Sequence, residues 1–249
     1  MEKSRLLSFI AIAAAIVLST LIAVSGWKDV RTRRVHNIDV TGSAKQRITS
    51  DLIQWEANLQ ASGADRTIAY RGLHEHVEKT LAYLKAQGLT DAELRPSSVV
   101  TSQIFATEYV GSGETRIERE VFKGYRTAQT ISITSANVAL VERISREVTQ
   151  LMEQGVPIMS EAPKYYYTKL GELKIAMLAE ASKDARTRAE RILKHAGKAA
   201  PGKLLRADMG VINVNPANST ANSWDGNNDT TSLEKDIITI VHVTFEIDG

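Results

Sequence analysis

The sequence predicts an α+β fold of antiparallel or mixed sheets with helices packed on one face, preceded by one N-terminal transmembrane helix. Three observations lead there. The run LLSFIAIAAAIVLSTLIAVSG carries no charge from Leu6 to Gly26. Segments of period-2 alternation, such as Leu52, Ile53, Trp55, Ala57 and Leu59, read as strands. Between them lie stretches with apolar residues three and four apart, each stopped by glycine (Gly88, Gly155 and Gly197).

The apolar run comes first. At roughly 1.5 Å per residue, about 19 residues make a helix close to the thickness of a bilayer core. Lys3 and Arg5 precede it, and Trp27 stands where an interfacial aromatic would. A cleaved signal peptide is the rival reading, with Ala23-Val24-Ser25 as a small-x-small site. The run exceeds the usual signal core of about 7–15 residues, which favours an uncleaved anchor. Residues 1–27 are thus assigned to the anchor, 28–36 to a basic linker and 37–249 to the folded domain. The flank with Lys28, Arg31, Arg33 and Arg34 outweighs Lys3 and Arg5, which favours a cytoplasmic domain, but the five-residue N-tail also carries the amino terminus and the charge count does not settle orientation.

In the domain, Ile38 and Val40 open a first strand, Gly42-Ser43 reads as a turn, and Leu52 to Ser62 forms a second strand. Asp65 to Gln87 reads as a helix with Ala69, Leu73, Val77, Leu81 and Leu84 on one face. Leu94 to Thr107 and Glu118 to Thr134 form a long hairpin with its tip at Tyr109 to Gly113. Ser135 is the expected N-cap of a helix from Asn137 to Gln154, whose inner face holds Val141, Ile144, Val148 and Leu151. A short strand, Ile158 to Thr168, contains Tyr165-Tyr166-Tyr167, residues expected to divide between core and edge packing. The longest soluble helix, Leu170 to Ala196, sets Leu173, Met177, Ala181, Ala185, Ala189 and Leu193 at four-residue spacing against a densely charged opposite side. Two last strands, Gly202 to Val214 and Asp236 to Ile247, flank the polar loop PANSTANSWDGNNDTTS, which is expected to be mobile.

Composition narrows the functional classes. A hydrophobic fraction of 43% fits a domain with a real core, and a net charge of +2 gives no global basic field for nucleic acid. The absence of cysteine excludes disulfides, thiol catalysis and thiolate metal sites. His74-Glu75-His76 on a helix cannot aim both imidazoles the same way, and no third ligand is near. Asp225, Asn227 and Asp229 have the first spacing of a calcium loop, but Thr230 replaces its glycine and Asp236 its last glutamate. Gly111-Ser112-Gly113 lacks the rest of a phosphate fingerprint. The S-x-x-K matches, Ser25 to Lys28 and Ser232 to Lys235, are too short to be specific. No catalytic, cofactor-binding or metal-binding residue is therefore assigned, and no cofactor is expected.

Four segments in order carry a family resemblance: IDVTGSAKQRITSDLIQWEANL, AQTISITSANVALVERISREV, LKIAMLAEASKDARTRAERILKHAGKAAPGKLLRA and ITIVHVTFEI. Across about Asn37 to Asp248 the chain resembles the SIMPL-domain family, the group that contains the bacterial periplasmic immunogenic proteins. Thr49-Ser50-Asp51 departs from the Pro-Asp pair that many relatives place before the second strand. The resemblance implies an α+β fold, an envelope location with the domain outside the cytoplasm, homo-oligomerisation into ring- or channel-like assemblies, and no enzyme activity. The expected partners are copies of the chain itself and membrane lipid around the N-terminal helix. The rival from another class is an envelope hydrolase or ligand-binding receptor, using scattered pairs such as Glu75 with His76.

Overall fold

The computed structural model describes residues 16–22, 24, 36–111, 116–197, 200–221 and 223–248. The expected anchor, Leu6 to Val24, and the basic linker lie mostly outside these. Residues 16–22 are helical and exposed. Among the described residues, no helix is long and apolar enough to cross a membrane.

Among the described residues ten strands and three further helices follow, making an α+β fold. Strands β1 (Asn37–Thr49), β10 (Glu234–Asp248), β8 (Ala200–Pro216) and β9 (Asn227–Asn228) lie side by side in that order. The second sheet has the order β3 (Leu94–Pro96), β5 (Ile117–Ser135), β2 (Leu52–Gly63), β6 (Ile158–Ser160). In it β4 (Val100–Val110) also pairs with β5, and β7 (Lys164–Tyr166) with β2. The pairs in this second sheet are antiparallel, whereas β8 and β9 run parallel. The helices are α1 (Arg66–Ala86), α2 (Val138–Glu147), continued as a 3-10 segment over Val148–Gln154, and α3 (Leu170–Ala196).

The chain divides into two compact units. One comprises Met1–Ser43, Ala181–Gly210 and Val241–Gly249, the other Ala44–Glu180 and Val211–Ile240. The larger unit is built on β2. Its alternation sends Ile53, Trp55, Ala57, Leu59 and Ala61 to one face, where each is buried. Leu73, Val77 and Leu84 of α1, and Val141 and Ile144 of α2, close over them to form the main core. The Trp55 indole N–H donates to Ser160 Oγ at 3.0 Å, and that hydroxyl donates to the Ser145 carbonyl at 2.7 Å, so the one polar atom of the largest core residue is satisfied. A smaller cluster gathers Ile48, Met177, Val214 and Ile237.

Helix ends follow local chemistry. Asp65 caps α1 by accepting from the Ile68 N–H. Asn137, not Ser135, caps α2, accepting from the Leu140 N–H; Ser135 sits two residues earlier and accepts from the Asn137 N–H. Gly88 and Gly155, the stops read from sequence, have φ of 103° and 78°.

Three more expectations are corrected. The turn is not at Gly42-Ser43, which lies inside β1, but at Ser50-Asp51, where the Asp51 carboxylate accepts from the Thr168 N–H and hydroxyl. The strand expected over Ile158 to Thr168 is two short strands, β6 and β7. Pro163 between them has no N–H to donate, and the Glu161 N–H returns to the Glu56 carbonyl. The first arm of the hairpin is likewise broken into β3 and β4 at Ser97, whose N–H and hydroxyl both bond Thr130. In the polar loop, hydrogen bonds to the flanking strands are made at Ala217, Asn218, Ala221, Ser223, Asn227 and Asp229 among the described residues.

In the smaller unit the alanine stripe of α3 is confirmed, with Ala181, Ala185 and Ala189 fully buried. Ala181 and Ala185 meet β1 at Gly42. Beside it the Ser43 N–H donates to Asp184 Oδ2 at 2.8 Å, and Arg188 reaches both Asp184 and the Ser43 hydroxyl. The Ser43 N–H, more than the Arg188 guanidinium, holds the Asp184 carboxyl below its ordinary range.

Candidate interaction surfaces

The long hairpin is two structures in one. From Tyr125 to Ser135, β5 is sandwiched between β2 and either β3 or β4. Beyond Gly63, where β2 ends, residues 117–122 of β5 pair only with residues 105–110 of β4. The change falls at a bulge: Ile104 faces Gly124 and Phe105 faces Phe122, leaving Lys123 extra. Gly124 has φ of 135°, and a Cβ there would collide with the Gly63 carbonyl oxygen, so only glycine fits this corner.

The freestanding arm is rich in exposed apolar groups. Phe105, Tyr109 and Phe122 share one face with Glu118 and Glu120, and Phe105, Phe122 and Tyr125 stack edge to face with centroids 5.9 and 5.2 Å apart. The Arg116 guanidinium lies 4.0 Å from the Tyr109 ring centroid. The opposite face pairs Val110 with Ile117 and Ala106 with Val121, beside a Lys123–Glu108 ion pair of 2.6 Å. Val110 and Ile117 are 57% and 68% exposed. A two-stranded ribbon is at best marginal in water. These side chains lack a second layer, and the outer edge of β4 offers backbone groups to another strand.

The second surface is the face of the β2–β5 sheet away from the helices. Gln54, Glu56, Asn58 and Gln60 point to it from β2, and Arg126, Ala128, Thr130, Ser132 and Thr134 from β5. The Thr130 hydroxyl donates to Asn58 Oδ1 at 2.6 Å across the strands. At its edge a cleft of about 480 Å³ opens between this face and the 3-10 segment, bordered by Asn58, Gln60, Thr149, Met152, Pro157 and Met159. Both methionines are exposed.

The third feature is the polar loop from Ala217 to Leu233. Asn213 and Asn215 of β8 point inward and are buried. Asn213 brackets Ser223, donating to its carbonyl and accepting from its N–H, each at 3.2 Å. Asn215 donates to the Ala221 carbonyl at 2.6 Å and accepts from the Asn227 amide at 2.8 Å. At the base, Lys235 is 2% exposed, and its ammonium donates to the carbonyls of Tyr165 and Asp229. Burial lowers the Lys235 pKa, with Asp229 opposing. Burial also works against the Asp229 carboxylate, yet hydrogen bonds from the Thr231 side chain and backbone hold it below its ordinary value.

Asp236 beside it is 1% exposed and takes Arg47 Nε at 2.9 Å, Lys45 Nζ at 3.0 Å and the Asn218 N–H at 2.8 Å. The Arg47 guanidinium, helped by the Asn218 N–H, drives the Asp236 carboxyl far below the usual carboxylate range. Asn218 occupies the left-handed region, φ 65°, to make this contact.

The residues weighed from sequence resolve as follows. His74 stacks on Tyr70, while His76 Nδ1 lies 3.2 Å from the Gln60 carbonyl; the two imidazoles serve different neighbours. Asp229 turns back on Thr231 rather than toward Asp225. Among the described residues, no three His, Asp or Glu side chains converge to hold a metal ion. In the S-x-x-K match at Ser232, the Lys235 ammonium is engaged by two backbone carbonyls, those of Tyr165 and Asp229. Tyr165 is buried in the main core, and Tyr167 packs against the smaller cluster. Sequence reasoning marked the hairpin but missed the inward Asn213, Asn215 and Lys235. The alternating asparagines in VINVNP were the available signal.

The fold and these surfaces define an α+β domain with helices on one face of a sheet whose other face lies open. A family model described as SIMPL, a protein of unknown function (DUF541), matches residues 38–245. The chain belongs to the SIMPL family. Comparison with curated proteins gave no match.

Proposed function

We propose that the chain is a non-enzymatic, membrane-anchored envelope protein that assembles with copies of itself into a large ring- or cage-like oligomer. The freestanding arm of β4 and β5 carries this reading. Its apolar side chains, exposed on both faces, and the unpaired edge of β4 suit it to packing against a neighbour. Family membership supports the same reading through the resemblance to assembling envelope proteins. The uncharged run from Leu6 to Gly26 supports the anchor, and so does the exposure of Ile16, Leu18, Leu21 and Ile22 in residues 16–22. The domain faces away from the cytoplasm, against the charge of Arg31, Arg33 and Arg34.

The rival, an envelope hydrolase or receptor, would place its ligand in the cleft beside Met152 and Met159. Among the described residues no ionisable side chain borders that cleft, whereas an adjoining cleft of about 320 Å³ is lined by Glu56, Glu161 and Lys164 and is where acid–base chemistry would be sought. The test is the mass of the full-length protein in detergent, by sedimentation or mass photometry. A particle many times the chain mass of 27.3 kDa is expected. A clean monomer at micromolar concentration would sink the assembly, and digestion of the domain by added protease only after the cytoplasmic membrane is broken would overturn its orientation.

A further inference from the structure

Trp224 is 94% exposed, the most exposed of the large apolar residues described. It does not ride on a loose loop. Asn213 grips Ser223 through two hydrogen bonds, and the Asp225 N–H donates back to the Ser223 hydroxyl. The indole is thus held out between Ser223 and Asp225, both hydrogen-bonded, which reduces the ordering cost of docking. Trp is also the residue type most enriched where binding energy concentrates.

The same compact unit carries a matching socket. The cleft of about 480 Å³ is mainly apolar, walled by Met152, Pro157 and Met159, and methionine adapts to an aromatic ring. It also has room for an indole. The exposed Gln60 amide at its border can accept from the indole N–H. Charge agrees as well. From Ala217 to Glu234 the chain has Asp225, Asp229 and Glu234 and no Lys or Arg. The uncovered sheet face beside the cleft carries Arg126, Arg95 and Lys164 against Glu56 and Glu161, all exposed, which leaves it net positive.

From this complementarity we infer that Trp224 of one copy inserts into the Met152–Met159 cleft of the next, with Asp225 directed toward Arg126. Trp224 is exposed, so it does not fill its own cleft. Knob and socket are different patches of one unit, so the contact is head-to-tail and closes into a ring if the rotation per copy allows. The inference rests on the self-assembly reading and gives it a specific joint, distinct from the β4–β5 arm.

The absence of cysteine makes the test direct. Full-length Trp224→Cys and Met159→Cys variants are prepared separately, mixed in detergent and mildly oxidised. A covalent dimer is expected from the mixture and from neither variant alone. Trp224→Cys mixed with Glu78→Cys, on the outer side of α1, is the control and should give at least tenfold less dimer. Separately, Trp224→Ala should raise the concentration for half-assembly at least tenfold with an unchanged melting temperature. A wild type that assembles while the mixture stays uncross-linked, or cross-links no better than the control, overturns the joint and leaves assembly standing. A monomeric wild type overturns both. If Trp224→Ala instead abolishes binding to anionic lipid vesicles and leaves assembly intact, Trp224 belongs to a lipid contact and the joint is wrong.

Discussion

The backbone of Gly42 in β1 lies against the carbonyl oxygen of Ala181 in α3, so close that no Cβ fits between them. A Cβ at Gly42 would also sit 2.7 Å from the Ala185 Cβ. The alanine stripe makes this approach attainable from the helix side, and glycine completes it from the strand side.

Gly42→Ala should therefore destabilise the domain by about 3 kcal/mol through overpacking. For a domain of this size that lowers Tm by roughly 6–12 °C. Gly171→Ala, near the start of α3 where a Cβ meets open space, should raise stability by about 0.5 kcal/mol. Thermal unfolding followed by circular dichroism separates the two. Equal melting of Gly42→Ala and wild type would mean that β1 and α3 are farther apart than described.

Acid should act through Asp236. Its carboxyl titrates far lower folded than unfolded, because Arg47, Asn218 and Lys45 stabilise the charged form. Below the unfolded value of about 3.9 the unfolded chain therefore binds more protons, and stability falls with pH through that range toward the folded value. Asp184, Asp229 and Glu93 are held low in the same sense and add to the slope. Asp236→Asn should be less stable than wild type at pH 7, and the gap should narrow as pH drops from about 4 toward 2. Urea unfolding across that range reads it. A gap that stays constant with pH would remove Asp236 from the acid response.

Local patterns carried most of the fold. Alternation from Ile53 to Ala61 marked the buried face of β2, and the four-residue spacing from Met177 to Leu193 marked the buried face of α3. These were legible because burial there repeats with the period of the backbone. Gly42 was misread for the opposite reason. Gly-Ser is a turn signal by local statistics, but here the glycine answers to a helix some 140 residues away, as the Ser43–Asp184 separation of 141 positions shows.

The surfaces were harder to read. The hairpin was visible, yet its division into a supported half and a free arm depends on where β2 stops, at Gly63. The loop from Ala217 was read as mobile because its composition is polar. Its order comes from Asn213, Asn215 and Lys235, polar side chains turned inward from the flanking strands. Composition cannot distinguish a polar loop that faces water from one that is wrapped around buried amides.

If the arm of β4 and β5 is covered in the assembly, its amides should report it. In dilute monomer, residues 105–110 and 117–122 should exchange hydrogen rapidly, while Ile53 to Ala61 stay protected by the core. On assembly the arm should slow by more than about tenfold, with little change in β2. Hydrogen–deuterium exchange with mass spectrometry at two protein concentrations measures both. Arm amides that exchange equally fast in the oligomer would move the interface elsewhere.

Asn215→Ala tests how the polar loop keeps its shape. The substitution removes the donor to the Ala221 carbonyl and the acceptor of the Asn227 amide. Two satisfied bonds at a fully buried residue are lost, and the Ala221 carbonyl, being exposed, can return to water. The loss of about 1–3 kcal/mol falls mainly on the loop. It raises the opened population by roughly 5–150-fold. Proteolysis follows that population when opening is fast compared with cleavage. Chymotrypsin should then cut after Trp224 at least about tenfold faster than in wild type, with Trp55 untouched in the core. Cleavage mapped by mass spectrometry distinguishes local opening from general unfolding, because only the latter exposes Trp55. Unchanged cleavage at Trp224 would mean that Asn213 and Lys235 suffice to hold the loop without Asn215.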